Sequence, residues 1–445
     1  MKDHDFTKGP ITGPLIKFAF PVLVAMFIQS LYGAVDLFVV GQFCEAEDIS
    51  AVANGSQIMM TITNLVCSFS IGTTVVLGQM LGQGRREEAG RVIGSAISLF
   101  AVVGVVMSLL IIFCARPISV LMKVPEEALA LASDYIRICG IGFLAIIAYN
   151  LLSSIFRGIG DSITPLVTVI IACVVNIIGD LIFVAVFRMG TAGAAAATVV
   201  AQALSVVISL FLIARKTLPF RFSLRDVRFN RHYIAWTSRL GIPVALQDLL
   251  VGLSFLIVQA FVNDLGLMES SAVGVAEKVC AFIMLVPSAF SQAMSAFAAQ
   301  NFGANRYDRA GTALKQAIWI SVCCGIVMFF VNFFFGNVMS GIFSKDEQII
   351  TLAADYLKAY AIDCLLTCFL FCFLGFFNGI GLTRFVMIQG MIGAFLVRVP
   401  ISYFMSRRRP VSLFLIGLAT PCSTLLQITM CFACLWYANR RYGRE

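Results

Sequence analysis

Long apolar stretches, separated by short polar segments rich in glycine, proline or charge, follow one another along the whole chain. A stretch of about 20 apolar residues is long enough to cross a bilayer as a helix, and the polar segments between such stretches mark the loops. The pattern predicts twelve spans, six in each half of the chain, with ends placed to about three residues. They are 15–43, 51–81, 91–115, 128–156, 163–187, 191–214, 238–264, 270–300, 312–335, 349–377, 384–405 and 411–438.

Composition supports an all-α integral membrane protein. The chain is 60% hydrophobic and 13% charged, whereas soluble domains carry about 25% charged residues. A water-soluble fold of this composition would expose large apolar patches and aggregate. The first apolar stretch is too long for a cleavable signal peptide and lacks a small-residue cleavage site.

The distribution of Lys and Arg predicts the orientation of the spans. Basic residues concentrate in the N-terminus, the loops at 85–91 and 306–315, the segment 215–239 and the C-terminal tail. By the positive-inside rule, both termini and the central segment are therefore expected on the cytoplasmic side of the cell membrane. The basic run 407–409 is the exception. The net charge of +8 reflects this bias, so we expect no nucleic-acid partner.

One sequence block occurs twice, 221 residues apart. Gly78–Ile97 aligns with Ala299–Ile318, so that Gln79 pairs with Gln300 and Arg85 with Arg306. The register extends to the Gly-Ile-Gly segments ending at 160 and 381. An internal repeat of this length predicts two pseudo-symmetric six-helix lobes. We assign 1–216 to an N-lobe, 217–237 to a cytoplasmic linker and 238–445 to a C-lobe. Membrane proteins built from two such repeats are usually transporters, and their substrate site lies between the repeats.

Two acidic residues lie inside spans of the first half that are otherwise apolar. Asp36 lies in the first span and Asp180 in the fifth, and Thr198 in the sixth span shares their depth. At 1.5 Å per helical residue, all three lie roughly 10 Å below the outer surface. Ionisable groups at this depth are costly and indicate function.

Two further polar residues accompany these acids. Asn176 lies one helical turn before Asp180, and Tyr32 lies one turn before Asp36, so each pair shares a helix face. Carboxylate, amide and hydroxyl oxygens suit a hard cation such as Na⁺. Two neighbouring carboxylates could instead hold a proton, or simply accept interhelical hydrogen bonds.

The second half lacks this set of residues. The repeat places Val397 and Ile401 where the first half has Asn176 and Asp180, and Ile257 or Val258 opposite Asp36. Coupling chemistry is therefore expected in the N-lobe. A C-lobe polar site is predicted from Asp363, Asp248 and Gln259; Asp363 would contact a cationic substrate or pair with Arg398. Pro21 interrupts the helix that carries Asp36, which predicts a kink or gating bend.

Few features of the sequence indicate an enzyme. The chain has two His, and its 14 Cys lie mostly within apolar stretches, which indicates packing thiols and no zinc site. No GxxxxGK[ST] motif is present, so ATP is not the expected energy source. We expect no enzyme activity and no cofactor.

Together these features resemble the MATE (multidrug and toxic compound extrusion) family over essentially the whole chain. The resemblance rests on the 6+6 repeat, the Gln-x-x-Gly-x-x-Arg loops at Gln79 and Gln300, the Arg-Gly-x-Gly-Asp segment 157–161, Pro21 before Asp36, and Asn176-x-x-x-Asp180. Within the family, the N-lobe set is similar to the DinF-like branch. The resemblance implies that Asp36, Asn176, Asp180 and Thr198, with Tyr32 beside them, bind Na⁺ or H⁺, and that a bend at Pro21 accompanies substrate release. Val251 stands where the NorM-like branch has a glutamate.

These features predict a monomeric antiporter in the bilayer that exports amphipathic, cationic small molecules in exchange for Na⁺ or H⁺. Its two lobes would alternate access to the two sides. Two alternatives remain open at this stage. One is a lipid-linked oligosaccharide flippase of the same superfamily, and the other is a major-facilitator transporter.

Overall fold

The computed structural model describes residues 6–215, 220 and 222–442, and their regular structure is entirely helical. The first half contains α1 to α7, with a π-helical segment Leu181–Val186 after α6. These helices are α1 Thr12–Phe43, α2 Ala46–Gly82, α3 Arg86–Leu121, α4 Glu126–Ile141, α5 Phe143–Gly158, α6 Ile163–Asp180 and α7 Gly190–Arg215. A short 3₁₀ helix, Leu224–Asp226, precedes the second half.

The second half contains α8 to α16, with a π-helical segment Ile392–Arg398 between α13 and α14. Its helices are α8 Arg231–Asn263, α9 Leu267–Ile283, α10 Leu285–Gly303, α11 Tyr307–Gly341, α12 Glu347–Gly379, α13 Thr383–Met391, α14 Val399–Arg407, α15 Leu413–Gly417 and α16 Ala419–Tyr442. Consecutive helices such as α9 and α10, or α15 and α16, together make one span.

The described residues contain eleven helical stretches long and apolar enough to cross a membrane, and a twelfth if a bent pair counts as one span. The bent pair is α4 and α5, which meet at 54° on either side of Gly142. This confirms the twelve predicted spans and the all-α membrane fold. The sequence pattern did not predict the break in the fourth span, because both segments are apolar.

Acidic side chains fix the starts of several spans. The Asp161 carboxylate accepts hydrogen bonds from the Ile163 and Thr164 amides, both at 3.0 Å, at the start of α6. Asp48 accepts from the Thr191 amide at 2.9 Å at the start of α7. Carboxylates at helix N-termini accept hydrogen bonds from amides that otherwise lack partners, and their negative charge interacts favourably with the positive end of the helix dipole. The Asp of the Arg-Gly-x-Gly-Asp segment thus has a helix-capping role.

The repeat has a structural basis in shared backbone geometry. Gly84 and its counterpart Asn305 both have left-handed φ angles, +74° and +55°, after the second span of each half. Gly160 and Gly381 likewise share φ values of +85° and +87°. Glycine and asparagine are the residues that tolerate this region best, so the repeated loops conserve a turn geometry between the two halves.

The chain forms two compact units whose boundaries differ from the halves of the repeat. One unit comprises Phe20–Gly241, and the other comprises Phe6–Ala19 with residues 242–442. Each unit therefore contains the beginning of the other half's first helix, α1 or α8. The chain passes from one unit to the other within two residues of Pro21 in α1 and of Pro243 in α8.

Part of the predicted linker belongs to the core of the first unit. Phe220 is buried in a cluster that includes residues of α2 and α3, and Phe222 packs against the same cluster. Residues 217–219 and 221 of the predicted linker lie outside the described residues, as do residue 216 and the termini 1–5 and 443–445. Helix α8 begins at Arg231, inside the segment assigned to the linker.

The second copy of the repeated loop holds the N-terminal arm, which we define as residues 6–11. The Gln300 side-chain oxygen accepts from the Phe6 amide at 3.3 Å, and Arg306 donates to the Thr7 carbonyl at 2.8 Å. Arg309 donates to four carbonyls of the arm, those of Phe6, Lys8, Gly9 and Pro10. The Phe6 ring lies 5.1 Å from that of Phe297. The arm is therefore fixed by both polar and aromatic contacts within the second unit.

Replacing Arg309 with Ala is expected to loosen this arm without unfolding the protein. Charged hydrogen bonds are worth about 1.5–3 kcal/mol when buried and less near solvent, so amide exchange in the arm should accelerate roughly tenfold or more. Hydrogen-exchange mass spectrometry would measure this. Arg384→Ala, an exposed arginine of α13, is the control, and equal exchange in both variants would contradict the assigned role of Arg309.

Candidate functional site

The predicted N-lobe residues converge inside the first unit. Asp36 lies on α1, 2% exposed, and its Oδ2 accepts a hydrogen bond from the Thr198 hydroxyl of α7 at 3.2 Å. Thr198 also donates to the Ala194 carbonyl at 3.1 Å, so a single hydroxyl proton is shared between two acceptors. The equal depth inferred for these two residues corresponds to a direct contact in the structure.

Asn176 and Asp180 of α6 complete the group. Both are fully buried, and both side chains lie next to the Asp36 carboxylate. Asp180 is the last residue of α6, directly before the π-helical segment. Short π segments within helices frequently occur at functional sites, because they displace side chains from the regular helical register.

The polar atoms of this group are poorly satisfied by the protein. Oδ1 of Asp36, both carboxylate oxygens of Asp180 and both amide atoms of Asn176 are buried without a protein hydrogen-bond partner. No described Lys, Arg or His forms an ion pair with either acid. Two uncompensated carboxylates in a low-dielectric interior are strongly unfavourable. The donor set of two carboxylates, an amide oxygen and a hydroxyl fits a hard cation such as Na⁺, and it would equally accept a proton.

A tyrosine that the sequence analysis did not assign to the site lies beside this group. Tyr135 of α4 is 2% exposed, and its hydroxyl lies next to that of Thr198. Its ring packs on Gly55 of α2, where a Cβ would lie 2.6 Å from Cδ1 of the ring. The repeat pairs Tyr135 with Tyr356 of α12, 221 residues later, and nothing in the sequence pattern distinguishes Tyr135 as a site residue.

The remaining N-lobe predictions concern α1 itself. Helix α1 continues through Pro21 from Thr12 to Phe43, so the predicted gating bend stays a prediction. Tyr32 lies on the same helix, and its side chain is outside the described residues. The group brought together in the structure is therefore Asp36, Asn176, Asp180 and Thr198, with Tyr135 added.

The three residues predicted for a C-lobe polar site differ in their surroundings, and that site stays a prediction. Asp363 of α12 is 1% exposed and lies next to Thr424 of α16. Gln259 donates to Asn263 at 2.9 Å, near the end of α8. Asp248 is exposed on α8. Asp363 and Arg398 are both buried, and the two side chains form no direct salt bridge.

No group of three or more His, Cys, Asp or Glu side chains in the described part of the chain could hold a metal ion. That search concerns resident metal centres built from these four residue types. A transported Na⁺ held by carboxylate, amide and hydroxyl oxygens is a different kind of site, and it would be a substrate of the protein.

Twelve apolar spans in two repeated halves, with a buried acidic group within one unit, define a multi-pass membrane transporter. The MatE family model matches residues 21–182 and 243–404, one segment in each half. The chain belongs to the MatE family. This identification confirms the resemblance to the MATE family inferred from the repeated motifs. It excludes the alternative that the chain is a major-facilitator transporter.

Individual relatives support the same assignment. The chain is 27% identical over 445 residues to the probable multidrug resistance protein YpnP of Bacillus subtilis, covering 100% of this chain and 98% of that protein. It is 24% identical to the multidrug export protein MepA of Staphylococcus saprophyticus, with 88% of each chain covered. Its fold is similar, at a TM-score of 0.90 and 19% identity, to a multidrug resistance MATE family transporter of the MOP superfamily solved in an outward-facing conformation, covering 100% and 98% of the two chains.

Proposed function

We propose that the protein exports amphipathic, cationic small molecules across the cell membrane in exchange for Na⁺ or H⁺. The observation that carries this proposal is the pair of buried, uncompensated carboxylates of Asp36 and Asp180, on two different helices of the first unit. The names of the relatives, which describe multidrug resistance and export, agree with it. The protein would work as a monomer with both termini in the cytoplasm.

The mechanism follows from competition for the two carboxylates. A cation or proton entering from outside would bind Asp36 and Asp180, with Asn176 and the Thr198 hydroxyl completing its contacts. An exported cation would require the same negative charge, so that binding of one weakens binding of the other. Movement of the lobes between outward and inward access would then link the two flows. A bend of α1 near Pro21 would move Asp36 directly, because both residues lie on this helix.

The flippase alternative predicts several basic side chains turned toward the interior to hold a pyrophosphate-linked headgroup. Arg398 is the only buried basic side chain among the described residues. The acidic group of the first unit has no evident use in binding such an anionic headgroup, because like charges repel. Export of cationic molecules therefore accounts for more of the buried charge.

Transport by purified protein in proteoliposomes would test the proposal. A fluorescent lipophilic cation is placed inside, and an inward gradient of Na⁺ or of H⁺ is imposed separately, with the membrane potential clamped. We expect one of the two gradients to accelerate export, and an ionophore that dissipates it to abolish the acceleration. Export insensitive to both gradients, in vesicles with correctly folded protein, would contradict antiport.

A further inference from the structure

The two copies of the repeated loop have no part in the acidic group of the first unit. Each copy has the pattern Gln-x-x-Gly-x-x-Arg, beginning at Gln79 in the first half and at Gln300 in the second. Each copy also contacts a stretch of chain at the start of a long helix, α8 for the first loop and α1 for the second. The contacts of the two loops therefore indicate what the repeated pattern does.

The second loop binds the N-terminal arm through the backbone of the arm. Every carbonyl of residues 6–10 accepts a hydrogen bond from Arg306 or Arg309. The side-chain amide of Asn301 also donates to the Phe6 carbonyl, at 3.2 Å, and the Phe6 side chain is 2% exposed. Hydrogen bonds from a charged donor are roughly twice as strong as neutral ones. These contacts therefore fix the start of α1 to the second unit.

The first loop holds the start of α8. The Glu88 carboxylate accepts a hydrogen bond from the Tyr233 hydroxyl at 2.7 Å, and Arg85 donates to the same carboxylate at 2.8 Å. Farther along α3, Gly94 lies so close to the 3₁₀ helix before α8 that a Cβ would collide with the Asp226 carbonyl. The chain that leads into α8 is therefore fixed to the first unit.

One equivalent position of the two loops carries opposite charges. Glu88 and Arg309 are 221 residues apart and therefore correspond in the repeat. An ionised carboxylate only accepts hydrogen bonds, whereas a guanidinium only donates them. Glu88 accordingly binds a hydroxyl donor, and Arg309 binds carbonyl acceptors. A carboxylate at position 309 would repel the carbonyls of the arm, so the two loops are not interchangeable.

Each loop holds the first helix of the opposite half of the repeat. Helix α1 begins in the second unit and continues into the first unit, where it carries Asp36, and α8 passes from the first unit to the second. From Thr12 to Asp36, α1 is one continuous helix, about 36 Å long at 1.5 Å per residue. With its start fixed, α1 connects the acidic group of the first unit with the second unit.

We propose that the two repeated loops are reciprocal clamps, each of which holds the start of the other half's first helix, and that the second clamp lets α1 transmit a displacement of Asp36 to the second unit. This inference rests on the proposed antiport function. The clamp residues position a helix and bind neither ion nor substrate. Loosening the second clamp would therefore leave the competition between ion and substrate intact, and it would slow the change of access that follows.

Two measurements on the full-length protein separate these steps. Equilibrium binding of a fluorescent lipophilic cation is measured in detergent, together with its displacement by Na⁺ and, separately, by protons. Gradient-driven export of the same cation is measured in proteoliposomes. For Arg309→Ala we expect native displacement and export slowed about tenfold, because the freed arm no longer fixes α1. Arg384→Ala should match the native protein in both measurements.

Three further variants sharpen the test. Phe6→Ala loosens the second clamp from the side of the arm, which guards against a folding defect specific to Arg309→Ala, and we expect the same split between displacement and export. Tyr233→Phe removes one hydroxyl from the first clamp and should slow export about threefold. Tyr307→Phe loses a comparable hydrogen bond, to Asn439 at 3.0 Å, outside both clamps and should export normally.

Hydrogen exchange in the arm shows whether the second clamp has been loosened. Native export by a folded Arg309→Ala or Phe6→Ala protein with a faster-exchanging arm would overturn the inference. A loss of cation displacement that matches the loss of export would also overturn it, because these residues would then act on the binding site itself. Unchanged exchange in both variants would contradict the clamp. Failure of antiport would show differently, as insensitivity of native export to both gradients.

Discussion

Replacing Asp36 with Asn is expected to reduce ion-driven export about 100-fold, at the upper end of typical coupling energies between two ligands. Asparagine has nearly the same shape as aspartate, and its side-chain oxygen can still accept a hydrogen bond from the Thr198 hydroxyl. In the native protein this hydroxyl lies 3.2 Å from the Asp36 carboxylate. The negative charge that binds both the coupling ion and the exported cation is lost. Folding should not suffer, because an uncompensated buried carboxylate is itself unfavourable.

The measurement compares Asp36→Asn with Asp134→Asn in the same proteoliposome assay, at matched amounts of folded protein. Asp134 is also an acid of the first unit, but it is exposed and pairs with Arg137 at 3.0 Å. Exposed pairs of this kind contribute about 0–1 kcal/mol, so the control should transport normally. Normal gradient-driven export by well-folded Asp36→Asn protein would remove the basis of the proposed mechanism.

The sequence sufficed for the parts of this fold that the membrane itself dictates. A span must be apolar over about 20 residues, and an ionisable residue in it stands out for the same reason. That is why the twelve spans, Asp36 and Asp180 could all be predicted. The 54° break between α4 and α5 could not, because Gly142 lies in an uninterrupted apolar stretch and its effect depends on tertiary contacts.

The sequence predicted less about the side chains that surround Asp36 and Asp180. Depth along a helix follows from residue count, but the direction of a side chain around the helix depends on how the helices pack. The sequence therefore did not assign Tyr135 to the site, and its position beside Thr198 emerged from the structure. Arg398 was recognised as a candidate partner of Asp363. The direct contacts of Arg398 are the Ser254 hydroxyl and the Phe255 ring, and these could not be inferred from the sequence spacing.

Replacing Gly379 with Ala is expected to destabilise the protein by about 3 kcal/mol, through overpacking between two helices. A Cβ at this position, the last residue of α12, would lie 2.6 Å from the Ser295 carbonyl oxygen and 2.7 Å from the Ala298 Cβ of α10. Backbone atoms of a packed helix cannot move aside cheaply. Thermal unfolding in detergent, followed by the reactivity of buried cysteines, should shift downward by roughly 3 °C.

The repeat supplies matched comparisons for this prediction. Gly158 is the counterpart of Gly379, and a Cβ there would lie 3.1 Å from the Thr74 carbonyl oxygen, the counterpart of Ser295. Gly158→Ala should therefore be milder than Gly379→Ala. Gly311→Ala in α11 meets no atom within 4 Å and should be neutral or stabilising by up to about 1 kcal/mol, since alanine favours helices. Equal effects at all three positions would contradict the prediction, because only Gly379 and Gly158 lie close to the backbone of a neighbouring helix.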